Sequence, residues 1–262
     1  MIRTLVIAAT LATLPVAAGA QALQCQIPTR VDRPRPDLPS RSQPTRVVPI
    51  GSYTLAITWS PNYCREHARD ASARFQCGSG GNRFGFTLHG LWPDGEGKQW
   101  PQYCRPTALI PARVIRTTLC STPSAQLQQH EWAKHGTCIN TLSASCYSPS
   151  SYIPGIEAAH YFETAVTLFK SLDSFKALAQ AGVYPSFERR WKRSVIEDAL
   201  RKMTGKEVVL GCQRGGALNE IWYGFNVRGS LQGGVFEAAD PVGKSLHTRC
   251  PEEGIKWLPK GY

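Results

Sequence analysis

The chain has 262 residues, with 30 Lys and Arg against 19 Asp and Glu, a formal net charge of +11 at pH 7. That length suits one domain behind a leader, and so large a positive surplus favours a polyanion as partner over an acidic protein surface of its own kind. Nine cysteines with no Cys-x-x-Cys pair argue against a zinc ribbon and a thioredoxin-type redox centre; in an exported chain they point to disulfides.

Residues 1–22 carry one charge, at Arg3, followed by an apolar run and small residues, the pattern of a signal peptide cut after Ala20 or Ala22. Pro15 interrupts the run, which falls short of the roughly 20 apolar residues a bilayer crossing requires. No later stretch is long and apolar enough either, so a soluble exported protein without stable membrane association is expected. Loss of the leader removes Arg3 alone and leaves 29 basic and 19 acidic side chains, +10. Residues 23–49 are rich in Pro and Arg and read as a disordered or extended basic arm, because Pro28, Pro34, Pro36, Pro39, Pro44 and Pro49 prevent regular structure.

Residues 50–262 read as the folded domain. Alternation and β-branched content over 53–59 predict a strand, ended by Ser60-Pro61-Asn62. A Gly-rich loop over 78–83 leads to a second strand over 84–88, which delivers His89 at its end, just before Trp92, Pro93 and Asp94. Ser124 is placed to cap a helix from Ala125 to about Gly136. Helical spacing of Ala159, Phe162, Val166, Phe169 and Leu172, and of Trp191, Val195, Ala199 and Met203, predicts two more helices with apolar stripes for the core. Strands over 207–212 and 218–227 then flank a turn at Gly215-Gly216. The expected fold is α+β: a central, mainly antiparallel sheet flanked by helices and braced by disulfides.

Two segments concentrate chemistry. His130-Glu131-Trp132-Ala133-Lys134-His135 sets two imidazoles, a carboxylate and an ammonium within six positions, and Phe86-Thr87-Leu88-His89 supplies a third imidazole. On a helix, His130 lies near Lys134 and Glu131 near His135, so the carboxylate favours a protonated, acid-like His135. A zinc site is a poor fit: the zinc-protease pattern requires histidines at i and i+4, whereas Lys134 stands at i+4 and His135 lies at i+5, about 140° around the helix. A metal-free acid and base pair fits better, and against a polyanion it suits internal transphosphorylation of RNA, in which a base takes the 2′-hydroxyl proton and an acid protonates the departing 5′-oxygen.

The segments 86–94 and 130–138 resemble the two active-site segments of the RNase T2 family of secreted, metal-independent endoribonucleases. The likeness extends to 53–59, to Leu210-Gly211-Cys212 and to Leu218-Asn219-Glu220-Ile221, and covers about residues 50–262. The resemblance implies cleavage of single-stranded RNA to 2′,3′-cyclic phosphates and then 3′-phosphates, with low base specificity and no metal or cofactor. It implies His89 as general base, His135 as the acid, His130 as the residue positioning the phosphate, and Glu131 with Lys134 as the pair that polarises it. Trp92 and Asp94 match base-binding positions, one by stacking and one by hydrogen bonding. It further implies Cys104–Cys138, Cys212–Cys250 and Cys64–Cys77 bridges; Cys120 with Cys146 is a guess from spacing, with Cys25 left over. The expected protein is a monomer, a bacterial member of the family, exported to the periplasm or the medium. The competing reading is a non-catalytic basic protein that holds RNA or another polyanion on the same fold. Turnover discriminates the two; charge does not.

Overall fold

The computed structural model describes residues 22–78, 80–139, 155–231, 233–242 and 250–259. Residues 1–21, Cys146 and His247 lie outside them. The strand expected at 53–59 runs from Ile50 to Trp59 (β2), after a short strand Ala22–Gln24 (β1). Leu55, Ile57 and Trp59 point into the core and Thr54, Ala56 and Thr58 away from it, following the two-residue period of a strand. Nearly every residue of β2 after Tyr53 is buried, as its central place requires. It pairs antiparallel with Phe86–Gly95 (β4) on one side and with Ala217–Arg228 (β6) on the other.

The sheet runs β4, β2, β6, then Val208–Gln213 (β5), with Val235–Ala239 (β7) also on β6. Arg83–Phe84 (β3) pairs separately with β1. The β5–β6 hairpin turns through Gly215 and Gly216, both at positive φ (82° and 78°), where a side chain would be strained. All pairings among these strands are antiparallel.

The helices are Ser60–His67 (α1), Arg74–Cys77 (α2), Ala112–Thr118 (α3), Ala125–Lys134 (α4), Ile156–Ser171 (α5), Ser174–Gln180 (α6) and Arg193–Thr204 (α7). Tyr161, Phe162, Ala165 and Phe169 of α5 join Leu55, Phe86, Leu88 and Leu91 in one buried cluster. Ser124 caps α4 by accepting a hydrogen bond from the Leu127 N–H at 3.2 Å. Several expected boundaries move. Ser60-Pro61-Asn62 opens α1 instead of a turn, since Pro is well placed in a first helical turn. The helix expected to include Trp191 begins at Arg193, and Trp191 instead bridges to Ile255.

Four disulfides brace the domain: Cys25–Cys120, Cys64–Cys77, Cys104–Cys138 and Cys212–Cys250. The first corrects the expected Cys120–Cys146 pair and gives Cys25 a partner. No spacing rule could have found it, because it ties the arm to the end of α3 across a sequence separation of 95. Of the two alternatives for the arm, disordered or extended, the extended one describes it. Residues 25–49 have almost no regular structure, but they are extended along the domain and tied to it throughout. Arg116 donates to the Pro28 and Thr29 carbonyls, Gln126 exchanges hydrogen bonds with the Arg35 backbone, and Gln102 donates to Pro44 at 2.7 Å. Prolines remove backbone donors; they do not prevent the remaining carbonyls from being satisfied by side chains.

Candidate functional site

β4 carries three of the expected residues, and a bulge decides how. In its register with β2, Ala56 faces Gly90 and Ile57 faces Leu88, so His89 is the extra residue. A regular strand would send positions 89 and 92 to opposite faces; the bulge leaves His89, Trp92 and Asp94 all partly exposed while Leu88, Leu91 and Pro93 are buried. His89 is therefore inside a strand, not at the end of one. β4 is an edge, which is where a strand tolerates Pro93, and its outward backbone groups are met by protein: the Leu88 N–H donates to Ser121 O at 2.8 Å, and Tyr161 both accepts from Leu91 N–H and donates to Leu91 O.

α4 supplies the second set. It ends at Lys134, two residues earlier than expected, so that His135 is the C-cap (φ −109°, ψ −49°) and leads into a 3-10 turn over Gly136–Cys138. Departure from the helical period brings the His130 and His135 rings to 6.5 Å between centroids, edge to face. Cys104–Cys138 fixes this end of the helix. Lys134 closes the last turn, its carbonyl accepting from the Tyr103 N–H at 2.8 Å.

Glu131, 1% exposed, turns away from the neighbour that the helical spacing suggested. Its Oε2 accepts from the Trp92 indole N–H at 2.7 Å, and its Oε1 lies 3.4 Å from His89 Nε2. Gly90 makes room for it: a Cβ there would collide with the Glu131 carboxylate and crowd the Trp92 nitrogen. On the other side of His89, Nδ1 lies 2.8 Å from Glu220 Oε1 and 3.5 Å from Thr58 Oγ1, while Trp222 Nε1 donates to Glu220 Oε2 at 3.1 Å. Glu220 reaches this point because it faces Thr58 across the β2–β6 ladder.

Two carboxylates therefore converge on His89. Burial opposes a charge on that ring, but Glu220 and Glu131 outweigh it and hold its pKa up at about 10. His135 is the reverse case. Burial drives its pKa down to about 3; Glu131 opposes this, while Lys134, His130 and His89 reinforce it, and its Nδ1 has no hydrogen-bond partner. Glu131 stays ionised, near 2, because His89, His135 and His130 together overcome the penalty of its burial. Burial at His135 thus works against the protonated form that the helical spacing suggested, and the carboxylate expected beside it bonds Trp92 and lies against His89 instead.

The indole of Trp92 is likewise committed, with its ring 5.6 Å from His135, 5.2 Å from His89 and 5.8 Å from Trp222. Asp94 accepts from the Thr54 hydroxyl at 2.6 Å; burial raises its carboxyl to about 6 against that hydrogen bond. His130 donates through Nδ1 to Oδ2 of Asp37, a residue of the arm, at 2.7 Å. Sequence reasoning missed Asp37, Thr58 and Trp222 and quoted Glu220 without a role. The resemblance over Leu218-Asn219-Glu220-Ile221 was the one available signal for Glu220; Asp37 lies 93 positions from its partner and gave none. Trp132 is a packing residue, buried, with its N–H on Thr107. Among the described residues, no group of three or more His, Cys, Asp or Glu side chains is arranged to hold a metal ion.

A strand and a helix end that bring two imidazoles, His89 and His135, about the buried Glu131 carboxylate define a general acid–base site. The profile of the Ribonuclease T2 family matches residues 50–232, and the chain belongs to that family. It is 40% identical over 191 residues to Ribonuclease Trv of Hypocrea rufa, covering 67% of this chain and 79% of that protein. It is 39% identical over 193 residues to Ribonuclease T2 of Aspergillus oryzae, with 67% of each covered. The crystal structure of Actibind, a T2 ribonuclease, superposes with a TM-score of 0.63 at 30% identity, over 88% of this chain and 99% of that one. These named relatives are fungal, and they lend no support to the expectation of a bacterial member.

Proposed function

We propose that this endoribonuclease cleaves single-stranded RNA by transphosphorylation with the two imidazoles in the opposite roles from those the resemblance implied. The observation that carries this is the placement of both carboxylates, Glu220 and Glu131, on His89 and of neither on the Nδ1 of His135. Neutral His135 takes the proton from the 2′-hydroxyl as the 2′-oxygen bonds to phosphorus. Protonated His89 gives its proton to the 5′-oxygen as the P–O5′ bond breaks. In the second step His89, now neutral, takes a proton from water as the water oxygen bonds to phosphorus, and His135 returns its own to the 2′-oxygen as the P–O2′ bond breaks, leaving a 3′-phosphate. Lys134 offsets charge on the phosphorane and His130 holds the phosphate. Glu131, buried and anchored by Trp92, acts on His89 more than on substrate. Trp92 and Asp94 border the base site, with Asp94 the better placed to bond a base edge. Four disulfides fit an oxidising compartment, so the protein works outside the cytosol, in the periplasm or the medium, as a monomer whose site is complete in one chain.

The test is incubation of the mature protein with RNA in excess EDTA, with product ends read by mass spectrometry. Cyclic phosphates are expected, and His135→Phe is expected to lose about 100-fold or more of the rate without loss of fold. Ends bearing 5′-phosphates would overturn the chemistry, and full activity in His135→Phe would overturn the base assignment.

A further inference from the structure

The arm precedes the residues matched by the family profile, yet it places a carboxylate in the site. Asp37 Oδ2 lies 2.7 Å from His130 Nδ1 and accepts from the Tyr103 hydroxyl at 3.0 Å. Both partners are themselves held. Tyr103 is buried, its N–H bonds to the last carbonyl of α4, and it is the one described non-glycine residue at positive φ, 48°. A bulky side chain in that conformation persists only where its surroundings fix it, and the adjacent Cys104–Cys138 bridge does so. The arm is fixed on both sides of Asp37: Cys25–Cys120 anchors it upstream, the Arg35 backbone bonds to Gln126 one turn before His130, and downstream Arg46 and Gln102 pair backbone to backbone at 2.8 and 2.9 Å.

We infer that Asp37 is a positioning residue for the cleavage reaction: by binding the Nδ1 edge of His130 it sets that ring's rotamer and tautomer and leaves Nε2 as the nitrogen offered to the phosphate. The inference rests on the role given to His130 above. An imidazole that contacts substrate through one nitrogen is oriented by whatever the other nitrogen binds, and a carboxylate does so most firmly. The other groups around His130 cannot replace it. Glu131 and Lys134 share its helix, but the Glu131 oxygens are turned to Trp92 and His89, and His135 stands at 6.5 Å. The arm is in this reading a part of the active site, clipped into place by a disulfide.

The test is a double-mutant cycle on the full mature chain, with a dinucleoside monophosphate as substrate and the thermal midpoint followed in parallel. Asp37→Ala is expected to lower kcat/KM about tenfold or more, the scale of a charge-assisted hydrogen bond, at an unchanged midpoint. Asp37→Asn, whose amide oxygen still accepts, should retain an intermediate rate. In a His130→Ala background, Asp37→Ala should have no further effect. Long-range 1H–15N spectra should report a protonated Nδ1 on His130 that loses its hydrogen-bonded shift in Asp37→Ala. Equal losses from Asp37→Ala in both backgrounds, or none beside a large loss in His130→Ala, would overturn the role of Asp37 alone. Wild-type cleavage by His130→Ala would overturn the role of His130 and that of Asp37 with it.

Discussion

In the proposed mechanism Glu220 and Glu131 act through the proton they hold on His89. The proposed mechanism requires neutral His135 and charged His89, so kcat/KM rises with pH as His135 loses its proton and falls as His89 loses its own. With those groups near 3 and near 10, activity should persist well to the acid side of 6.5, where an unperturbed base would already be protonated. The sign of one substitution follows. Glu220→Gln removes a charge that raises the His89 pKa, so the alkaline limb of the profile should move to lower pH while the acid limb, set by His135, stays. An alkaline limb that does not move, measured from kcat/KM across the pH range, would mean that another group sets it.

At the level of the element, the site depends on two departures from regularity. The bulge at His89 lets one strand present His89, Trp92 and Asp94 together, and the early end of α4 lets His135 approach His130. Sequence periodicity could not show either, because it assigns faces on the assumption that the period continues. Gly90 sits where the first of these departures meets Glu131. Its contribution is the space it leaves, since a methyl group would displace a carboxylate that has 1% exposure and nowhere to go. Gly90→Ala is therefore expected to keep the fold and lower kcat/KM by about 100-fold, the usual effect of a catalytic group displaced by about 1 Å. Near-normal kinetics with an intact thermal midpoint would show that Glu131 has another place to stand.

For the molecule as a whole, what was legible was what is local. The strand at 53–59, the α4 cap, the 159–172 stripe and the two motif segments each declare themselves within about a dozen residues, and three bridges followed from the resemblance. What was not legible is contact between distant segments: Cys25 with Cys120, Asp37 with His130, and Glu220 with His89 across the sheet. The choice between a disordered and an extended arm stayed open for the same reason, since its composition forbids helices and strands but says nothing of a surface built to receive it. Its ordering gives the net charge a direction. Arg33, Arg35 and Arg41 are exposed on a segment that runs past α4, where Gln126 holds the backbone of Arg35 one turn from His130. A long RNA threaded through the site would meet that charge, and a dinucleoside monophosphate would not. Phosphate contacts release counterions, so for a single strand the logarithm of affinity falls with the logarithm of salt at about 0.7 per phosphate neutralised. Below saturation, kcat/KM on long single-stranded RNA should fall steeply with added salt, while on the dinucleoside monophosphate it should barely change. The two slopes, measured side by side, count the phosphates held outside the catalytic centre; equal slopes would confine the useful charge to Lys134 and the imidazoles.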